Sequence, residues 1–171
     1  LGRPGEVRWE PDLGGGSLWD VGSYPVSFIR WIAGEPDQVF GWQTLADSGV
    51  DKTFTGLMRY GNRLLGSFDC GFQEPFRSEV EVAGTEGTLT IERPFPVDRT
   101  SRLLLRARGE DEDRVVAVAE HDAYQCEVEA LTGAVLDGQP LAVPLTSSRA
   151  NVATLTALYE SARRGEPQPV P

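Results

Sequence analysis

Asp20 and Tyr24 are two side chains whose types and spacing could support chemistry. They lie four residues apart in the stretch LGGGSLWDVGSYP, residues 13–25, so a regular helix would place both on one face. A phenol can give a proton to a carbonyl oxygen or take one from a hydroxyl, and a nearby carboxylate can orient that hydroxyl. Ser17, Ser27 and Trp31 continue this stripe at three- and four-residue steps. The same pattern also fits a solvated aspartate and a packed tyrosine.

Three consecutive glycines, Gly14, Gly15 and Gly16, precede the stripe. A dinucleotide-binding loop needs G-x-G-x-x-G between a buried strand and a helix, with an acidic residue about 20 residues further on. Here the preceding segment, VRWEPDL, is polar and interrupted by proline, and no strand–helix–strand unit follows. We therefore expect either a flexible entry to a helix or close packing, in which the helix N-terminus approaches a ligand or another domain.

The composition is that of an ordinary soluble globular domain. Of the 171 residues, 40% are apolar and 25% are charged, and no apolar run approaches the roughly 18 residues of a membrane span. The net charge of −10 disfavours nucleic acid and membranes as partners, so we expect a small-molecule ligand and a cytoplasmic protein. Cys70, Cys126 and the single His121 lack metal-ligand spacing, so no metal site is predicted and His121 is expected in a solvated loop. There is no initiator Met, which indicates that Leu1 is the edge of an excised piece.

Hydrophobic periodicity predicts a helix, a run of strands and two further helices. A short strand is expected at residues 6–10, and the next segment should be a helix with a bend or break near Pro25. Its expected core stripe consists of Leu18, Val21, Pro25, Phe28 and Ile32. From residue 38 to about 119 the period is two, which predicts strands with hairpin turns at YGNR and GTEG.

Two helices should close the chain. The first should begin after a cap at Asp122 and end at Gly138, and the second should run from about Thr146 to Arg164. Their expected core residues are Tyr124, Val128, Leu131 and Val135 in the first, and Val152, Leu155, Leu158 and Ala162 in the second. This order predicts one α+β domain over residues 1–171, with an open, mostly antiparallel sheet and helices on one face.

Several segments together resemble the carboxy-terminal domain of the glucose–fructose oxidoreductase / inositol dehydrogenase / rhizopine-catabolism (Gfo/Idh/MocA) family. GGGSLWDVGSYPVSFIRWIAGEPDQV resembles the family's glycine triplet, Asp-x-Gly-x-His/Tyr pattern and apolar helix. GVDKTFTGLMRYGN and VAGTEGTLTI resemble its later strand turns, and YQCEVEALTGAVLDGQP and NVATLTALYESARRGEP its closing helices. The resemblance extends from about Asp12 to Pro167.

The resemblance implies the substrate-binding half of a two-domain NAD(P)-dependent oxidoreductase. An amino-terminal Rossmann domain would hold NAD or NADP and supply the family's Glu-Lys-Pro lysine, a motif that this sequence lacks. Asp20 matches the family's substrate-contacting aspartate. Tyr24 matches a position filled by His in inositol dehydrogenases and by Tyr in the aldose and dihydrodiol branch, where NADP is common. The glycines would then let the helix approach the nicotinamide, and Tyr24 would relay the proton of the reacting oxygen.

Other expectations concern the rim of the site and the assembly. Trp9 could wall a sugar site or be an ordinary half-buried aromatic residue, Ser17 could contact substrate, and Tyr124 could reach the cleft or pack in the core. Because three helices would leave much of a sheet uncovered, apolar faces bearing Leu57, Leu65 and Leu103 are expected to form a homo-oligomer. Two alternatives stay open: a non-catalytic binding or assembly module of the same fold, and one of the family's NAD-dependent glycosidases.

Overall fold

Eight strands and three α-helices are present in the computed structural model, which describes residues 6–95, 97–119 and 121–171. Short 3-10 turns at Val7–Trp9 and Pro11–Leu13 lead into a π-helical turn at Leu18–Gly22. The regular elements follow in the order α1 (Ser23–Ala33), β1 (Gln38–Leu45), β2 (Asp51–Tyr60), β3 (Leu64–Gly71), β4 (Glu79–Gly84), β5 (Gly87–Glu92), β6 (Arg102–Ala107), β7 (Arg114–Val116), α2 (Ala123–Asp137), α3 (Leu145–Arg164) and β8 (Gln168–Pro169). Among these described residues, no helix has the length and apolarity to cross a membrane.

The described chain forms two compact units, and the expectation that residues 1–171 act as one substrate-binding domain stays a prediction. One unit consists of the described part of Leu1–Glu74 together with Val143–Pro171, and the other is Pro75–Ala142. Each contains a four-stranded antiparallel sheet, with strand order β3-β2-β1-β8 in the first unit and β4-β5-β6-β7 in the second. The α+β class and the turns at YGNR and GTEG are confirmed. The strands separate between Gly71 and Glu79, where Pro75 interrupts the alternating pattern and cannot donate to a sheet.

The helices of the first unit lie on one face of its sheet. The core comprises side chains from β1, β2, β3, α1, α3 and the π turn, of which the largest buried ones are Leu18, Val26, Val39, Phe54, Met58, Leu155 and Leu158. On β2, burial alternates as the sequence pattern predicts, with Phe54, Met58 and Tyr60 facing inward. The opposite face of this sheet exposes Trp42, Leu57 and Leu65.

The π turn shifts the buried face of the first helix by one residue. Leu18 is buried as expected, but Val26 is buried in place of Pro25, and Ile29 and Ala33 pack against the core where Phe28 and Ile32 were predicted. A π turn contains one residue more than an α turn, so a stripe counted at α spacing falls out of phase beyond it. The chain passes from π to α geometry between Gly22 and Ser23 without a break, two residues before Pro25.

Three further expectations need correction. Residues 7–9 form a 3-10 turn and not a strand. On α2 the cap and the end are confirmed: Asp122 accepts a hydrogen bond from Gln125 N, and Gly138 adopts a left-handed conformation. However, its predicted core residues Tyr124, Val128, Leu131 and Val135 are 59–76% exposed, and on α3 Val152 is 50% exposed whereas Leu155 and Leu158 are buried. Helical spacing therefore identified an apolar face on α2 that is not part of the core.

Candidate active site

The glycine triplet forms a turn whose three N–H groups are used by the chain itself. Each donates to a carbonyl of the preceding segment: Gly14 to Pro11, Gly15 to Glu10 and Gly16 to Arg8, at 3.1, 3.0 and 3.0 Å. A phosphate-binding loop presents such N–H groups to its anion. These three groups are not available to a phosphate, so the triplet is not a nucleotide-binding loop, in agreement with the sequence analysis.

Close internal packing explains two of the three glycines. A β-carbon on Gly15 would lie 2.7–2.9 Å from the backbone carbonyl oxygens of residues 7, 8 and 10. At Gly16, where φ is +122°, a β-carbon would overlap the Asp51 carboxylate and lie 2.8 Å from the Tyr159 hydroxyl. Gly14, with φ of +74°, faces open space. The predicted approach to a nicotinamide is thus not needed to account for Gly15 and Gly16, and it stays a prediction.

A buried carboxylate holds the residues that follow the triplet. Asp51 is 2% exposed. Its Oδ2 accepts hydrogen bonds from the Ser17 hydroxyl at 2.7 Å and from Leu18 N at 2.8 Å, and its Oδ1 accepts one from the Tyr159 hydroxyl at 2.7 Å. Burial, together with the hydrogen bond to Asp51, raises the pKa of Tyr159. The thiol of Cys70 donates to Ser17 Oγ at 3.8 Å, and burial raises its pKa to about 12.

A β-bulge brings Asp51 into this position. The β1–β2 register pairs Thr44 with Thr53 but Leu45 with Asp51, so Lys52 is an extra residue in β2. A bulge of this kind re-aims the side chain beside it. Simple alternation back from Phe54 would put Lys52 on the inner face, whereas the bulge puts the Asp51 carboxylate there.

Asp20 is held by an arginine that the sequence analysis did not single out. Arg8 Nε donates to Asp20 Oδ2 at 2.6 Å, and another guanidinium nitrogen donates to Glu6 at 2.7 Å. These hydrogen bonds, to Glu6 and then to Asp20, raise the pKa of Arg8. About half of the Arg8 side chain and 37% of the Asp20 side chain are exposed. Among the described residues, the side-chain hydrogen bond that Asp20 accepts is on Oδ2.

Asp20, Tyr24, Ser27 and Trp31 follow the exposed side of the π turn and of α1. Tyr24 is 53% exposed in the first turn of α1, and Trp31 is 77% exposed two turns later. Asp20 lies in the π turn, a type of helical irregularity that is frequent at functional sites. The predicted stripe is therefore on the surface, with a carboxylate and a phenol four residues apart on a continuous helical segment.

The other predicted contact residues lie elsewhere. Ser17 is fully buried, and its hydroxyl is bound to Asp51, so it does not reach the face that carries Tyr24. Trp9 is partly buried and packs edge-on against Phe72, with ring centroids 5.1 Å apart. Tyr124 is 76% exposed at the start of α2, in the second compact unit. The structure therefore places Asp20 and Tyr24 on one continuous helical segment and buries Ser17 away from its exposed side.

A shallow hollow of about 280 Å³ lies beside the triplet, lined by Pro11, Gly15, Trp19, Gln43, Leu45, Gly49, Val50, Asp51 and Tyr159. Neither Asp20 nor Tyr24 lines it. It is therefore distinct from the exposed face of α1.

Sequence reasoning missed Arg8, Asp51 and Tyr159. Arg8 acts across 12 residues and Asp51 across 33 and 108, so helical or strand periodicity cannot report either contact. One signal was available for Asp51: a carboxylate at the start of an alternating strand, where a buried charge is rare without a partner.

Comparison with known proteins shows the family of this chain. Residues 2–90 match the model of the GFO/IDH/MocA C-terminal domain. A D-xylose 1-dehydrogenase (NADP(+)) from Haloferax volcanii is 34% identical over 161 residues, which are 94% of this chain and 50% of that protein. A trans-1,2-dihydrobenzene-1,2-diol dehydrogenase from Sus scrofa is 33% identical over 93 residues, 53% of this chain and 27% of that protein.

Solved structures share the fold. An aldose-aldose oxidoreductase from Caulobacter crescentus, complexed with glycerol, superposes with a TM-score of 0.87 at 20% identity, over 99% of this chain and 52% of that one. A levoglucosan dehydrogenase in complex with NADH and levoglucosan gives 0.82 at 16% identity, over 97% of this chain and 53% of that one.

The chain belongs to the GFO/IDH/MocA oxidoreductase family and matches its C-terminal domain. Its relatives include the aldose and dihydrodiol dehydrogenases of the branch that the tyrosine indicated. The chain spans about half the length of the xylose dehydrogenase.

Proposed function

We propose that this chain is the substrate-binding half of an NAD(P)-dependent oxidoreductase that acts on a hydroxyl-bearing carbon of a sugar, polyol or dihydrodiol. The observation that carries the proposal is the exposed pair of Asp20 and Tyr24, with one oxygen of Asp20 bound by Arg8. The relatives named as xylose and dihydrodiol dehydrogenases support this substrate class and a nicotinamide cofactor.

The cofactor is proposed to be bound by an amino-terminal Rossmann domain of the same protein. The glycine triplet does not fit a pyrophosphate site, because its N–H groups donate to the chain's own carbonyls. This chain's contribution would then be to the substrate: its binding, its orientation and the movement of its proton.

Asp20 and Tyr24 are assigned different tasks at the substrate. The Tyr24 hydroxyl donates a proton to the reacting oxygen during reduction and accepts it during oxidation. Asp20 Oδ1 accepts a hydrogen bond from a substrate hydroxyl while Arg8 holds Oδ2, so the carboxylate presents a fixed acceptor. Trp9 and Tyr124 stay candidates for the rim of the site.

Substitution of Tyr24 in the complete polypeptide tests the proposal. Tyr24→Phe keeps the ring and removes only the hydroxyl, so folding should survive while kcat falls by roughly 10²–10⁴-fold, the usual contribution of a general acid–base group. The measurement is steady-state kinetics with a panel of aldoses, inositols and dihydrodiols, and circular dichroism checks the fold.

Thr156→Val is the matched control, because it also removes an exposed hydroxyl, from α3 of the same compact unit and outside the stripe. It should leave kcat unchanged. A Tyr24→Phe protein whose kcat stays within about threefold of the wild type would contradict the proposed role of Tyr24. A wild-type protein without activity on the whole panel would favour the non-catalytic binding or assembly module.

A further inference from the structure

Asp51 is a buried carboxylate without a counter-charge among the described residues. It accepts three hydrogen bonds, from Ser17, Leu18 N and Tyr159, at 2.7, 2.8 and 2.7 Å, and no ion pair found in the described parts of the chain includes it. Removing a carboxylate from water costs free energy unless its hydrogen bonds are replaced. Three neutral donors replace them here: the Ser17 hydroxyl, the Leu18 N–H and the Tyr159 hydroxyl.

The two oxygens of Asp51 connect different parts of the first unit. Oδ1 binds Tyr159 of α3, and Oδ2 binds Ser17 and the first residue of the π turn. Asp51 itself stands at the bulge that begins β2. One carboxylate therefore joins a strand, the closing helix and the start of the segment that carries Asp20 and Tyr24.

A backbone hydrogen bond links the residues bound by Asp51 to Asp20. The carbonyl of Gly16, the residue before the clamped Ser17, accepts a hydrogen bond from Asp20 N at 3.1 Å. Leu18, whose N–H binds Asp51, opens the π turn, and α1 follows that turn without a gap, with Tyr24 as its second residue. A shift at Leu18 would thus change the position of both exposed side chains.

Gly16 allows the Asp51 carboxylate to approach the backbone closely. A β-carbon there would overlap the Asp51 carboxylate, so the carboxylate lies against the backbone with no intervening side chain. An ordinary helix cap is a residue next to the helix in sequence. Here the cap comes from 33 residues away, which ties the helix start to the sheet.

We propose that Asp51 is a positioning residue of the active site, which sets the register of the π turn and thereby the placement of Asp20 and Tyr24 against the substrate. This inference rests on the proposed function for its catalytic consequence. The geometric part, the fixing of the helix start by Asp51, can be measured without substrate.

The experiment compares Asp51→Ala and Asp51→Asn in the complete polypeptide, each with and without Tyr24→Phe. Asparagine keeps an acceptor for Leu18 N and Ser17, and its NH₂ group can donate to Tyr159, whose hydroxyl can then accept. Alanine removes all three contacts. Asp47→Asn is the control, an exposed carboxylate in the loop between β1 and β2.

Asp51→Ala should lower kcat on the order of 10-fold to 100-fold, the effect of a small misplacement of reacting groups. Asp51→Asn should keep most of the kcat that Asp51→Ala loses, and the KM for the cofactor should not change in either variant. In the Tyr24→Phe background the effect of Asp51→Ala should shrink by at least about twofold, the lower end of coupling between interacting residues. A role in stability alone would lower kcat by the same factor in both backgrounds, and that result would overturn the inference.

Amide hydrogen exchange separates this inference from the proposed function. Asp51→Ala should speed exchange in residues 17–24 and leave the hairpin of β2 and β3 unchanged. If Tyr24→Phe proves as active as the wild type, the proposed function fails. Faster exchange confined to residues 17–24 in Asp51→Ala would still support the fixing of the helix start by Asp51. Unchanged exchange in residues 17–24 of a folded Asp51→Ala protein would refute the inference about Asp51.

Discussion

An exposed ion pair with Arg8 holds Asp20, the proposed substrate acceptor. Arg8 binds one carboxylate oxygen and Glu6 binds the other side of the guanidinium. Exposed pairs of this kind contribute about 1 kcal/mol or less, so Arg8 adds little to the stability of the fold. Its contribution would instead be to hold Asp20 in one orientation.

Removal of the Arg8 guanidinium should therefore weaken substrate binding modestly. Arg8→Met keeps the length of the side chain and should raise substrate KM by about twofold to fivefold, the equivalent of the energy of an exposed pair. Asp20→Asn should raise KM further and also lower kcat, because both binding and alignment suffer. Steady-state kinetics in the complete polypeptide measures both.

Two comparisons control this prediction. Glu6→Gln removes the other carboxylate bound to Arg8 without touching Asp20 and should leave KM unchanged. The double variant Arg8→Met/Asp20→Asn should be no worse than Asp20→Asn alone, since Arg8 is expected to act through Asp20. Additive losses would mean that Arg8 contacts the substrate independently.

Among the elements, the sheet of the first unit has one face covered by helices and one face with exposed apolar side chains. Trp42, Leu57 and Leu65 are 59%, 44% and 77% exposed there. Leu103, which was expected in the same open sheet, belongs to the other sheet, where it pairs with Ile91 and Val116. The prediction of a homo-oligomer is therefore restricted to the face bearing Trp42, Leu57 and Leu65.

Leu65→Glu should make the complete polypeptide monomeric. Leu65 is paired across the strands with Arg59, so a glutamate there gains an oppositely charged neighbour and the sheet should still form. At a subunit interface, however, the same charge would have to be desolvated. Light scattering at tens of micromolar measures the mass, and Val118→Glu, at an exposed apolar residue outside the strands, is the control. A wild-type monomer, or a Leu65→Glu protein with unchanged mass, contradicts the prediction.

For the whole molecule, three buried or partly buried side chains, Tyr60, Cys70 and Tyr159, make the free energy of unfolding depend on pH in the alkaline range. Burial raises the pKa of Tyr60 and that of Cys70 to about 12, above the usual range of each group, and burial also raises the pKa of Tyr159. The folded state therefore keeps protons that the unfolded chain releases as the pH rises above about 9. The stabilising contribution of these groups is complete below that pH and is lost as the pH rises toward 12.

The free energy of unfolding in urea should therefore fall steadily between pH 8 and pH 11, a range chosen to cross the unfolded pKa values of Cys and Tyr, about 8.5 and 10. Tyr60→Phe should make this fall shallower. The Tyr60 hydroxyl is buried and has no hydrogen-bond partner among the described residues, so its removal should leave stability at pH 8 equal or higher. A constant free energy of unfolding across the range contradicts the prediction.

Local patterns in the sequence determined much of the fold. The alternation on β2, the hairpins at YGNR and GTEG, the cap at Asp122 and the end of α2 at Gly138 are all properties of residues close in sequence. The quoted motifs identified the family and placed Asp20 and Tyr24 four residues apart. Such features depend on side-chain period and backbone conformation, which a few neighbouring residues decide.

Only the tertiary structure decided the phase of the first helix, the exposure of α2 and the partners of the site. The π turn moved the core from Pro25 to Val26, and the bulge at Lys52 turned Asp51 inward, where it binds residues 33 and 108 positions away. An inserted residue shifts the buried face of a helix by one residue and reverses the two faces of a strand, yet its cause lies in distant packing. Ser17 was expected to contact substrate but lies buried against Asp51, because only folding brings these two residues together.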